Sequence, residues 1–272
     1  MKKLNNADLI RFKFVFLIIT VLLYCQPVPI TGRNQLHLVP DSQMLALSFE
    51  SYREVIEESR VIKEGKDVEM LQRVGEQIRN SVERFFQNRK MNAFLNNYKW
   101  EFVLIEDSII NAWAMPGGKI GVYTGILPVT RSDTGLAVLL GHEIAHAVAK
   151  HGDERMSQAL IVELGGVTLS NALSKKPDLT RKFALASFGL GIEVGIPLPY
   201  SRLQESEADQ LGLIFMAMAG YNPQSAIDFW ESISAKEGKI IPEYLRTHPS
   251  DKRRIDNIKR KIPYAMKYLK NP

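Results

Sequence analysis

Gly141–His151 reads GHEIAHAVAKH, and the reading of this stretch decides how the rest of the chain is understood. It holds three of the five histidines in 272 residues. His142 and His146 are four apart, so on a helix they stand one turn apart on a single face. Two imidazoles at a separation fixed by rigid backbone suit a divalent ion. Glu143 is turned about 100° from His142 on such a helix, which puts it beside the ion and within reach of a water. Together these residues form HExxH, a zinc-peptidase pattern. Five letters can recur by chance, so the flanks must decide. Val138, Leu139, Leu140, Ile144, Ala145, Ala147 and Val148 make the segment apolar almost all round, as in a buried helix. Buried histidine and glutamate are costly without partners, and a metal ion provides them.

Zinc in an enzyme usually keeps three protein ligands and one open position. Leu203–Ala219 reads as a helix stopped by Gly220, and on it Glu205 and Asp209 are four apart and share a face. One carboxylate there can complete a metal site while the other holds a histidine ring in its tautomer. A solvated acidic helix face is the bland alternative. Glu207 points elsewhere on this helix and is not counted in the site. His151 and His37 are expected to be exposed and inert.

Outward from these two helices, the composition is that of a folded protein, with 45% hydrophobic residues and no low-complexity segment. Lys2, Lys3, Arg11 and Lys13 against Asp8 account for more than half of the formal charge of +5, so the body is nearly neutral and nothing calls for nucleic acid. Residues 1–25 read as a lipoprotein-type signal. A basic start and the apolar run Phe14–Tyr24 lead to Cys25, the only cysteine and the expected site of acylation. A conventional secretory signal or an uncleaved anchor would look similar. Residues 26–40, with three prolines, read as a tether, and residues 41–272 as the folded domain.

Within that domain, Asp41–Arg60 and Val68–Arg89 read as helices, the second carrying the stripe Val68, Leu71, Val74, Ile78, Val82 and Phe85. Lys99–Ile105, Ile109–Met115 and Lys119–Tyr123 read as three strands of one small antiparallel sheet, the last two joined by a Pro116-Gly117-Gly118 turn. Ser132 or Asp133 can cap the histidine helix. Met156–Leu173 and Lys182–Tyr200 are apolar and glycine-bearing, and fit either core helices or a flap over a cleft. A further helix opens at Asn222-Pro223 and ends at Gly238. The C-terminal stretch interleaves Ile255, Ile258 and Ile262 with Lys252, Arg253, Arg254, Lys259, Arg260 and Lys261. It reads as an amphipathic helix with a solvated basic face, open to contact with an anionic membrane surface.

At this point a resemblance becomes specific. The chain resembles the M48 family of zinc metallopeptidases, in the branch of bacterial periplasmic lipoproteins related to the mitochondrial inner-membrane protease of that family. The blocks VPITGRNQL, NAWAMPGGKIGVYTGIL, GHEIAHAVAKH, YSRLQESEADQLGLIFMAMAGYNP and THPSDKRRI carry it, in order. The resemblance implies a mostly helical α+β, gluzincin-like domain with a small sheet. It implies one Zn2+ per chain held by His142, His146 and Glu205, with Glu143 as catalytic base and Asp209 behind a ligand. It places Asn111 and Ala112 on a strand bordering the substrate cleft. His248 matches the family's late histidine, which could approach the zinc as a fourth ligand or steady the oxyanion; a plain turn histidine is the alternative. Tyr200, Arg202 and Arg254 lie in matched blocks without an assigned role. Trp113 stands where relatives often carry phenylalanine.

The resulting expectation is a zinc metalloendopeptidase, anchored by its N-terminus to a membrane of a bacterial cell envelope and facing the periplasm. It would cleave misfolded or membrane-associated polypeptides by attack of an activated water, with the substrate backbone pairing beside Asn111. The competing expectation is a largely latent zinc protein acting as a chaperone-like or assembly factor.

Overall fold

In the computed structural model, residues 25–28, 31–191, 195–196, 200–235, 242–249 and 252–269 are described. Residues 1–24 of the expected signal and the helix stop at Gly238 lie outside them. Among the described residues no helix is long and apolar enough to cross a membrane.

The chain opens with β1 (Cys25–Pro27) and β2 (Asn34–Leu36), an antiparallel pair in which Cys25 faces Leu36. Val28, Gln35, His37 and Val39 are buried and the Leu38 amide donates to Ser157 Oγ at 3.0 Å, so the described part of the expected tether packs on the body. Helices α1 (Asp41–Glu58) and α2 (Lys66–Asn88) follow, each within two residues of its expected bounds. Of the α2 stripe, Leu71, Val74, Ile78, Val82 and Phe85 are buried.

The sheet departs from the simple antiparallel expectation. Its order is β3 (Val61–Ile62), β4 (Glu101–Ile105), β6 (Lys119–Tyr123), β5 (Ala112–Met115), and β4 and β6 run parallel, Glu101 beside Lys119 through Ile105 beside Tyr123. The hairpin explains this. The Gly118 amide donates to the Met115 carbonyl at 3.3 Å, with Pro116 second in the turn and Gly117 third at φ +85°, the left-handed value a type II turn demands. The turn sends β6 back against β5, and the chain between β4 and β5 is long enough to bring β6 in alongside β4. That leaves β5 as an edge strand.

Helix α3 (Asp133–Val148) is capped by Ser132, whose hydroxyl accepts from the Gly135 amide at 3.2 Å. From Gly135 onward it is buried on every side, as its composition requires. It crosses α7 (Arg202–Met218) where Gly141 meets Gly212; a Cβ at Gly141 would stand 2.9 Å from the Gly212 carbonyl oxygen. No larger residue fits this crossing, and the close approach sets Glu205 and Asp209 against the α3 histidines. The Ser201–Gln204 capping box fixes the start of α7.

Between these helices, α4 (His151–Val162), α5 (Leu169–Lys175) and α6 (Pro177–Leu185) lead into Ala186–Leu190, which packs on β5. Phe183, Phe188 and Leu190 are buried with Trp113, so these described residues are core rather than a loose flap. Trp113 lies edge-on to Tyr52, its ring over Gly121. Helices α8 (Ser225–Ser234), α9 (Glu243–Thr247) and α10 (Lys252–Ala265) close the far side, with Ile258 and Ile262 turned inward as their spacing predicts.

Candidate metal centre

Four side chains from three parts of the chain converge: His142 and His146 of α3, Glu205 of α7, and His248 just past α9. Their atoms stand at His146 Nε2–His142 Nε2 3.0 Å, His142 Nε2–His248 Nδ1 3.3 Å, His248 Nδ1–Glu205 Oε1 3.0 Å and His146 Nε2–Glu205 Oε1 3.2 Å. A tetrahedral ion with ligands at about 2.0–2.1 Å separates them by about 3.3 Å. The donor set thus fits a zinc-sized cation. Two imidazole nitrogens at 3.0 Å otherwise repel unless one carries a proton, and a cation removes that conflict. All four residues are buried.

Glu143 borders this group and is buried. Its Oε1 accepts from the Tyr244 hydroxyl at 2.8 Å and lies 3.6 Å from His248 Nε2, a buried nitrogen with no hydrogen-bond partner. Burial beside the Glu143 carboxylate holds the Tyr244 phenol protonated, well above its ordinary range. The Tyr200 ring lies 3.9 Å from that of His146 with the Arg155 guanidinium over it, also at 3.9 Å.

Behind His142, Asp209 Oδ1 stands 3.1 Å from the ring Nδ1. Arg254 grips Asp209 twice, Nη2 to Oδ1 at 2.8 Å and Nε to Oδ2 at 3.0 Å, reaches Glu205 Oε2 with Nη1, and lies 3.4 Å above the Trp230 ring. This corrects the expected solvated basic face, because Arg254 is 6% exposed while Lys252 and Arg253 beside it are exposed. Burial opposes charge on Asp209 and Glu205, yet Arg254 outweighs it and holds both carboxyls below their ordinary range. Burial also works against a charged His142, and Glu205 and Asp209 overcome it, raising the ring to about 9 in the absence of a cation.

Behind His146 the structure overturns the expectation that His151 is exposed and inert. His151 is 0% exposed, with Nδ1 2.9 Å from His146 Nδ1 and Nε2 3.0 Å from Glu207 Oε2. Glu207 in turn accepts from Arg33 Nε at 2.8 Å and from the Thr31 hydroxyl. Lys150 takes the left-handed conformation, φ 58°, so α3 ends there and His151 opens a new helix folded back toward His146. Glu207, two residues past Glu205, does leave the metal side of α7, as helical geometry requires, but it faces α4 and the N-terminal segment rather than water. The missed signal was the third histidine of the opening motif. His37 is likewise buried, 3.0 Å from Asp41 Oδ1.

Asn111 and Ala112 lie at the head of edge strand β5 and are buried. Asn111 Oδ1 accepts from the Ala112 amide at 2.9 Å, and the neighbouring Ile110 carbonyl accepts from the Tyr244 amide at 3.0 Å. The strand is thereby tied to the residue that touches Glu143.

Residues 74–262 match Peptidase family M48. The chain is 31% identical over 248 residues to Metalloendopeptidase OMA1, mitochondrial, of Homo sapiens, covering 88% of this chain and 46% of that protein. It is 37% identical over 173 residues to Mitochondrial metalloendopeptidase OMA1 of Schizosaccharomyces pombe (63% and 49%), and 26% over 155 residues to Metalloprotease YcaL of Escherichia coli (57% and 59%). It spans about half the length of the curated relatives it matches. With the HExxH helix, the carboxylate helix and a match running across both, the chain belongs to the metallopeptidases of family M48.

Proposed function

We propose that the protein is a zinc-dependent metalloendopeptidase, with His142, His146 and Glu205 as zinc ligands and Glu143 as general base. The convergence of four donor atoms at 3.0–3.3 Å, close to the spacing of ligands around a tetrahedral zinc ion, carries this reading. Zinc held there supplies Lewis acidity to a water and to the scissile carbonyl. Glu143 takes the proton from the attacking water and passes it to the leaving amine. Asp209 keeps the His142 proton on Nδ1, so that Nε2 offers its lone pair to the centre. On this reading an extended polypeptide pairs with the edge strand beside Asn111 and Ala112, by β-augmentation, once Ala186–Leu190, which packs on that strand, moves aside. The substrates are misfolded or membrane-associated envelope proteins, and the chain is held to the periplasmic side of a bacterial membrane through acylated Cys25. The apolar run ahead of that cysteine, and a bacterial relative named a putative beta-barrel assembly-enhancing protease, support this setting.

One observation favours a latent resting form, and with it the reading of a chaperone-like or assembly factor. His248 Nδ1 takes the fourth corner, where an open position would otherwise stand, and Glu143 is 1% exposed. Zinc content and cleavage of an unfolded protein by the full chain test both readings. The expected result is one zinc per chain, with Glu143→Gln keeping the metal and losing about 10²–10⁴ in turnover. A chain that binds no zinc, or a Glu143→Gln protein that cleaves normally, overturns the enzyme reading. His248→Ala raises activity if His248 closes the site at rest. It lowers turnover about 10²–10³ if His248 stabilises charge developing on the carbonyl oxygen.

A further inference from the structure

The donors and acceptors behind His146 admit a single arrangement. With Nε2 aimed at the metal centre, the His146 ring carries its proton on Nδ1. That nitrogen is 2.9 Å from His151 Nδ1, which must then present a lone pair. His151 therefore carries its own proton on Nε2, 3.0 Å from Glu207 Oε2. The carboxylate accepts it, and accepts also from Arg33 Nε at 2.8 Å and from Thr31. Arg33 is held in turn by Glu154, Nη1 to Oε1 at 3.0 Å and Nη2 to Oε2 at 2.8 Å. Gln204, the capping residue of α7, donates to the same Glu154 oxygen at 2.8 Å. Every proton in the chain from the metal centre to Arg33 meets an acceptor.

We infer that His151, Glu207 and Arg33 form a positioning relay that fixes the tautomer and orientation of His146, so that the segment preceding α1 contributes to metal affinity. The inference rests on the zinc reading above. Imidazole ligands are generally oriented by a carboxylate or carbonyl at their second nitrogen. Here another imidazole fills that place and hands the interaction on to Glu207. The roles are positional: none of the three touches the reacting atoms.

The test is zinc affinity of the full chain, measured by competition with a chromophoric chelator and paired with the visible spectrum of the cobalt-substituted protein. Asp209→Asn, which acts on His142, sets the scale for a direct contact. Glu207→Gln and His151→Asn each weaken zinc about 10–100-fold and shift the cobalt bands. Arg33→Gln acts in the same direction by less. The Glu207→Gln, His151→Asn double variant is no weaker than His151→Asn alone, because Glu207 acts only through His151. Affinities within about twofold of the unaltered chain with unmoved cobalt bands overturn the relay, as do losses that multiply in the double variant. Lowered stability of the metal-free protein with zinc affinity unmoved also overturns it, since that is a packing role. If His151→Asn does not fold, Glu207→Gln and Arg33→Gln decide alone: weakened zinc in both, without further loss on combining them, supports the relay, and unchanged zinc overturns it. An unaltered chain that binds no zinc would instead sink the metal reading itself.

Discussion

His142 and His146 stand one turn apart on α3, yet the structure behind each differs in length and origin. The His142 ring meets the Asp209 carboxylate directly, and one arginine from α10 holds that carboxylate and Glu205 together. The His146 ring meets a second imidazole, then a carboxylate, then Arg33 from the N-terminal segment, three residues for the same task. The difference follows from where the helices lie. Asp209 is one turn along α7 from Glu205 and so shares its face, whereas Glu207 is rotated about 200° from Glu205 and needs an intermediary to reach the centre. The direct arrangement is buried and short, and it concentrates its charges on Arg254. The longer one ties the metal centre to residues far away in sequence.

The largest expected effect lies on the short side. Arg254→Met keeps a side chain of similar length over Trp230 but leaves Asp209 and Glu205 buried without their cation. Removing one partner from a buried ionic group costs about 3–5 kcal/mol, and denaturant unfolding of the metal-free protein should show a loss of that size. Saturating zinc should recover part of it, because the metal neutralises Glu205 in the arginine's place. A loss below about 1 kcal/mol, or one unaffected by zinc, would mean that the two carboxylates are held by packing and that the contrast between the two sides is illusory.

Much of the short side could be read from the sequence. HExxH, an apolar flank and two carboxylates four apart on a second helix are local patterns, and periodicity converts them into shared faces. The α2 stripe was legible for the same reason, and so was the inward turn of Ile258 and Ile262. The long side was not legible, because each of its links depends on a non-local fact. His151 is buried only because α3 breaks at Lys150 and α4 folds back. Glu207 is satisfied only because the Arg33 segment packs against it. Arg254 looked like one of several cations on a basic face until the position of Asp209 was known. The parallel pairing of β4 with β6 was hidden similarly, since strand patterns reveal which residues alternate but not which strands adjoin.

The smallest expected effect concerns acid, and it distinguishes the long side by sign. Burial works against charge on Glu207, but hydrogen bonds from His151, Thr31 and Arg33 prevail and hold its carboxyl at about 2, below its ordinary value near 4.5. A carboxyl whose folded pKa is depressed adds stability that is complete above the unfolded pKa and fades as pH falls toward the folded one. The contribution of Glu207 should therefore be full above about pH 4.5 and decline down to about pH 2. Its size is on the order of 1 kcal/mol, reduced by solvent screening at the Arg33 end. Asp153, on the same helix as His151, works in the opposite sense. Burial raises its carboxyl to about 6, so its charged form costs stability as pH rises through the range from about 3.8 to 6. The two windows barely overlap, so a difference profile separates them. Unfolding of metal-free Glu207→Gln against the unaltered chain should differ most above pH 4.5 and converge toward pH 2, while Asp153→Asn should diverge progressively between about pH 3.8 and 6. If the Glu207→Gln difference is flat with pH, the carboxylate charge contributes nothing on that side, and shape alone holds His151 in place.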